Sequence, residues 1–131
     1  MQKTILITGS TDGIGFETAK TLLSLGHNVL IHGRNKDKLK RVEDTLTEFS
    51  KNIPVKTYCA DLSNLEEVKT LAENISKNHK NIDVIINNAG IYKTTSPITK
   101  DGFDIRFVVN TIAPYFLTKL NSFFDFIQQH I

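Results

Sequence analysis

Apolar positions along the chain alternate between two periods. Ile5-Leu6-Ile7 is a short unbroken run, as expected of a strand covered on both faces. Phe16, Ala19, Leu22 and Leu23 then recur at helical spacing, and Gly26 supplies a stop. Val29-Leu30-Ile31 predicts a second strand. Asn35 can cap a helix whose apolar face is Leu39, Val42, Leu46 and Phe49. Pro54 leads into a third strand over Val55 to Cys59. Ser63 and Glu66 have capping-box spacing ahead of a helix with Leu65, Val68, Leu71, Ala72 and Ile75 on one face. Ile82 to Ile86 predicts a fourth strand. From about Asp101 onward the pattern is helical, with Val109, Ile112, Phe116, Leu120, Phe123 and Ile127 in register.

Strands alternating with helices predict an α/β fold with a parallel sheet and right-handed crossovers. The expectation is a Rossmann-like, three-layer, doubly wound sheet of order 3-2-1-4, cut off after about four strands. Strand four is then an open edge. With 131 residues, one domain over 1–131 is expected, without a second domain.

Composition narrows the classes. A net charge of +2, with no basic stretch interleaved with aromatics, argues against nucleic-acid binding. No apolar stretch approaches a membrane span, and the N-terminal apolar run is too short for a signal peptide, so a cytoplasmic location is expected. Cys59 is the single cysteine, which leaves no internal disulfide or cysteine-based metal site. It is expected to be a small buried residue. His27, His32, His79 and His130 lack ligand spacing and read as structural or solvent-facing, so no metal is expected.

The chemistry concentrates in 8-TGSTDGIG-15. Gly9 follows the first strand, and Gly13 and Gly15 open the first helix. A helix N-terminus with free N–H groups can hold a phosphate, and small residues allow close approach. A glycine trio at that junction points to a dinucleotide cofactor. After the second strand the chain reads His32-Gly33-Arg34-Asn35-Lys36. No carboxylate is there to hold a ribose 2′-hydroxyl, whereas a guanidinium suits a 2′-phosphate. NADP (NADPH) is therefore favoured over NAD, although Asp12 in the loop is discordant.

Several further motifs join the glycine loop Thr8-Gly9-Ser10-Thr11-Asp12-Gly13-Ile14-Gly15. They are Asp61-Leu62 after the third strand, Asn87-Asn88-Ala89-Gly90 after the fourth, and Asn110 in the last helix. With these the chain resembles the short-chain dehydrogenase/reductase family over its whole length, and 99-TKDGFDIRFVVNTIAPYFLTKL-120 resembles its retinol-dehydrogenase-like branch. The resemblance implies that the loop residues, Arg34 and Leu62 belong to the cofactor site. It implies that Asp61 meets the adenine amino group and that Asn88, Ala89 and Gly90 line the cofactor ribose. Asn110 would hold a proton-relay water through its carbonyl. Pro114 stands four residues beyond Asn110 and has no N–H, so in an α-helix that carbonyl loses its partner.

The family's chemistry moves a hydride between nicotinamide and a small-molecule carbonyl or alcohol. It needs a Ser and a Tyr-x-x-x-Lys pair after a fifth strand, in which the Lys charge lowers the Tyr pKa. Here the pair occurs only as Tyr115 and Lys119, in the Asn110 helix, with no matching Ser. It reads as a decoy, with Tyr115 packing and Lys119 solvated. The resemblance thus implies an oxidoreductase lacking its catalytic half. A truncated product, a fragment and half of a split enzyme all fit, and the ending in mid-helix favours truncation. An open edge strand and an aromatic last helix (Phe116, Phe123, Phe124, Phe126, Ile127) predict a homo-oligomer or a complementing C-terminal half. The alternative is a non-enzymatic nucleotide-binding or self-associating interaction module.

Overall fold

The computed structural model describes residues 1–130, with side chains through Asn121. It forms two compact units, residues 1–60 with 82–88 and residues 61–81 with 89–131.

The first unit is a four-stranded parallel sheet. Its strands are β1 (Thr4–Ile7), β2 (Asn28–Gly33), β3 (Lys56–Cys59) and β4 (Val84–Ile86), in the order β3-β2-β1-β4. This is the predicted order. Ile5 and Ile7 align with Val29 and Ile31 on β2 and with Val84 and Ile86 on β4. Helices α1 (Gly13–Ser24) and α2 (Lys36–Thr47) complete the unit. Ile5, Ile7, Val29 and Ile31 form one core cluster with Ala19, Leu23, Leu39, Val42 and Leu46. Leu6 and Leu30 alternate to the opposite face and are also fully buried, as the apolar runs required. Asn35 caps α2 as expected, accepting from the Lys38 N–H at 2.9 Å. Leu25 ends α1, and Gly26 follows at φ +88°.

Cys59 departs from expectation. It is exposed, because the pleat turns Tyr58 inward and Cys59 outward at the end of the edge strand β3.

The second unit contains α3 (Leu65–Asn78), α4 (Ile105–Phe107) and α5 (Ala113–His130), and α3 packs on α5. The cap of α3 lies one residue beyond the predicted one. Asn64, not Ser63, accepts from the Glu66 N–H, while Ser63 is held by Asp61. The helical pattern expected from Asp101 begins only at Ile105. Residues 99–103 instead form a tight turn closed by Thr99 and Phe103, followed by Asp104, whose carboxylate caps α4. Between α4 and α5, Val108–Ile112 is π-helical. Val109 is buried as predicted and is followed by buried Ala113, Leu117 and Asn121, while the predicted Ile112, Phe116 and Leu120 are half-buried. Phe123, Phe124, Phe126, Ile127 and His130 lie outside the described side chains. Among the described residues, no helix is long and apolar enough to cross a membrane, and no group of His, Cys, Asp or Glu could hold a metal.

Candidate functional site

Each glycine of the loop has a separate physical reason. Gly9 and Gly13 have φ values of +62° and +55°, in the left-handed region that side chains disfavour. Gly15 is ordinary helix, but a Cβ there would stand 2.4 Å from the Gly9 carbonyl oxygen and 2.5 Å from Asn88 Nδ2. The first turn of α1 therefore sits directly on the loop that precedes it. Asp12 occupies the N-cap position yet makes no side-chain cap. The N–H groups of Gly13, Ile14 and Gly15 are left without intrahelical partners, as at any helix start. They form an N–H-rich terminus with little side-chain bulk around it.

Three residues lock this loop from its two sides. Asn88, just after β4, donates from Nδ2 to the carbonyls of Thr8 (3.1 Å) and Gly9 (2.9 Å). Ser10 is fully buried. Its hydroxyl donates to the Ile7 carbonyl at 2.8 Å and accepts from the His32 N–H at 3.0 Å. His32, also buried, accepts the Gly9 N–H at Nδ1 (3.0 Å), and its Nε2 lies 2.9 Å from the Ala60 carbonyl. The glycine spacing points to Gly9 and Gly15 but not to His32. Only the β1–β2 register shows that this side chain reaches the loop. Gly33 was likewise unassigned, yet a Cβ on it would come within 2.5 Å of Thr11 Cγ2, so it lets β2 pass beside the loop.

Arg34 follows β2 with an exposed side chain and no ion-pair partner among the described residues. The discordant Asp12 is paired with Lys38 of α2, which offsets its charge beside the loop. Ile14 projects into solvent from the first turn, 81% exposed. The arrangement fits a phosphate-bearing nucleotide, with helix-start N–H groups, a loop that admits no side chains at its tight points and an exposed guanidinium.

The remaining predicted residues belong to the second unit. Asp61 Oδ1 accepts from both the backbone N–H (2.9 Å) and the hydroxyl (2.8 Å) of Ser63. Its own N–H donates to Glu67 at 2.7 Å, and Leu62 beside it is buried. Asn110 and Ile91 bond reciprocally, with Oδ1 accepting the Ile91 N–H and Nδ2 donating to the Ile91 carbonyl, each at 2.8 Å. Gly90 leaves room for this clamp, since a Cβ there would lie 3.4 Å from Asn110 Oδ1. Ala89 precedes it, partly buried. The Ala113 N–H bonds to the Val108 carbonyl, five residues back.

Tyr115 does not pack as expected. It is 67% exposed, with Lys119 Nζ 5.8 Å from its ring centroid. At the start of α4, Asp104 receives the Arg106 guanidinium (2.6 and 3.0 Å) and the Arg106 N–H (2.8 Å), which together hold its carboxyl down to about 2.

Known proteins resolve the lineage. Residues 3–127 match the model of the short chain dehydrogenase family, and the chain belongs to that family. Polyprenol dehydrogenase of Homo sapiens is 35% identical over 115 residues, which cover 88% of this chain and 35% of that protein. Retinol dehydrogenase 13 of Homo sapiens is 31% identical over 118 residues, covering 90% and 36%. A metagenomic short-chain oxidoreductase, solved in complex with NADP, superposes with a TM-score of 0.79 at 28% identity, over 93% of this chain and 56% of that one. The chain thus spans about a third of the length of these two curated relatives.

Proposed function

We propose that this chain binds NADP(H), in preference to NAD(H), as the cofactor-binding part of an oxidoreductase that interconverts a small-molecule carbonyl and alcohol. The observation that carries the reading is the exposed Arg34 directly after β2, without an ion-pair partner among the described residues and in the same unit as the first turn of α1. A 2′-phosphate offers that guanidinium charge-assisted hydrogen bonds, and a ribose hydroxyl does not. The NADP complex of the related metagenomic enzyme supports the choice.

In this reading the N–H groups of Gly13, Ile14 and Gly15 face the pyrophosphate. Gly9, Ser10, Thr11 and Asp12 shape the loop, and Arg34 holds the 2′-phosphate. Asn88 fixes the loop backbone. By family resemblance, Asp61 and Leu62 meet the adenine, and Asn88, Ala89 and Gly90 meet the ribose. Asn110 keeps its proton-relay role as part of the proposal, with its side chain holding Ile91. NADPH, when bound, supplies the hydride. Turnover requires a Ser and a Tyr-x-x-x-Lys in the family's arrangement, which Tyr115 and Lys119 do not provide, so a partner or a further segment completes the enzyme. Exposed Tyr92, Phe103 and Phe107, all of the second unit, favour a second reading, self-association without catalysis.

Calorimetric titration with NADPH and with NADH tests both, the chain having no Trp for fluorescence transfer. NADPH binding at least tenfold tighter, ~1.4 kcal/mol, supports the first reading. No heat with either cofactor from a folded sample leaves only the second.

A further inference from the structure

His32 is the one buried histidine of the first unit, and its two ring nitrogens have unequal partners. A backbone N–H can only donate, so Nδ1, 3.0 Å from the Gly9 nitrogen, must be the unprotonated acceptor. A carbonyl can only accept, so Nε2, 2.9 Å from the Ala60 oxygen, must carry the proton. The contacts therefore define one neutral tautomer. They also define a mechanical link, because the ring joins the end of β3 to the first glycine of the loop. Gly9 is held at φ +62°, and the next N–H, that of Ser10, is taken by the His32 carbonyl at 2.9 Å. One residue thus claims two consecutive loop N–H groups. Both are turned toward β2, so the phosphate-facing donors are those of the first turn of α1.

We propose that His32, as the Nε2-protonated tautomer, is a positioning residue that sets the geometry of the glycine loop for the cofactor. Its consequence for binding rests on the NADP(H) reading above. A core histidine with a merely structural role would contribute through either ring bond alike, whereas here the Nδ1 bond reaches the loop and the Nε2 bond reaches the end of β3.

Two variants separate the bonds. His32→Asn places an amide oxygen near the position of Nδ1 and keeps an acceptor for Gly9. His32→Gln extends an amide nitrogen toward Ala60 and keeps that donor instead. Each retains one of the two contacts. The Gly9 amide exchange rate and the ring-nitrogen signals, read by NMR without cofactor, report the hold directly. The expected result is a protected Gly9 amide and a proton on Nε2 in the wild type, with protection kept in His32→Asn and lost in His32→Gln. NADPH binding should be about tenfold weaker in His32→Gln than in His32→Asn at comparable melting temperature. An unprotected Gly9 amide in the wild type, a proton on Nδ1, or equal affinities in the two variants would overturn the proposal. If the wild type binds no NADPH while Gly9 is protected as expected, the cofactor reading fails and the hold on Gly9 stands.

Discussion

Adding one methyl group at Gly15 tests whether the loop and α1 are as closely apposed as the geometry states. The new Cβ would sit 2.4 Å from the Gly9 carbonyl oxygen, 2.5 Å from Asn88 Nδ2 and 3.0 Å from the Ser10 Cα. Two of these neighbours are backbone, so about an ångström of relief must come from moving the loop or the helix. Overpacking of this kind typically costs about 1–3 kcal/mol. Displacing Asn88 also loosens its two bonds to Thr8 and Gly9, each worth about 0.5–1.5 kcal/mol net. The better helix propensity of alanine returns at most about 1 kcal/mol. Gly15→Ala is therefore expected to destabilise by about 2 kcal/mol or more, measured as the free energy of urea unfolding. A double-mutant cycle with Asn88→Ala refines the test. Because the Asn88 bonds are lost in either single variant, the double variant should fall short of additivity by about 1 kcal/mol or more. A loss below about 0.5 kcal/mol for Gly15→Ala, or strict additivity, would refute the apposition.

Four further outcomes follow from the site. Arg34→Ala should weaken NADPH binding about tenfold or more and leave NADH unchanged in calorimetry, since a charge-assisted bond to phosphate is worth about 1.5–3 kcal/mol. Asn110→Ala removes both bonds to Ile91 and should destabilise by about 1–2 kcal/mol, with faster exchange of the Ile91 amide. Tyr115→Phe should change neither stability nor cofactor affinity, and any NADPH oxidation abolished by it would restore a catalytic role for that residue. Asp104 titrates at about 2 instead of the ordinary 3.8, so its capping contribution is complete above pH 3.8 and is lost as pH falls through about 2. Arg106→Gln should return that pKa toward 3.8, read from the Asp104 carboxyl signal in an NMR pH titration.

The sequence by itself determined the strands, their alternation with helices and hence the sheet order, because short apolar runs and helical periodicity are local signals that topology rules convert into an arrangement. It also located the glycine loop and Arg34, since each lies immediately after a recognisable strand. Tertiary structure alone decided which atoms meet. The spacing of glycines cannot distinguish Gly9 and Gly13, needed for their backbone angles, from Gly15, needed for a close approach to Gly9 and Asn88. Nor does any local pattern bring His32 to Gly9 or Asn110 to Ile91, contacts spanning 23 and 19 residues. Cys59 turned outward because the phase of the pleat, not apolar character, sets which side is covered. The π-turn at Val108–Ile112 pairs the Ala113 N–H with the Val108 carbonyl, where the regular helix assumed from the sequence would pair it with Val109.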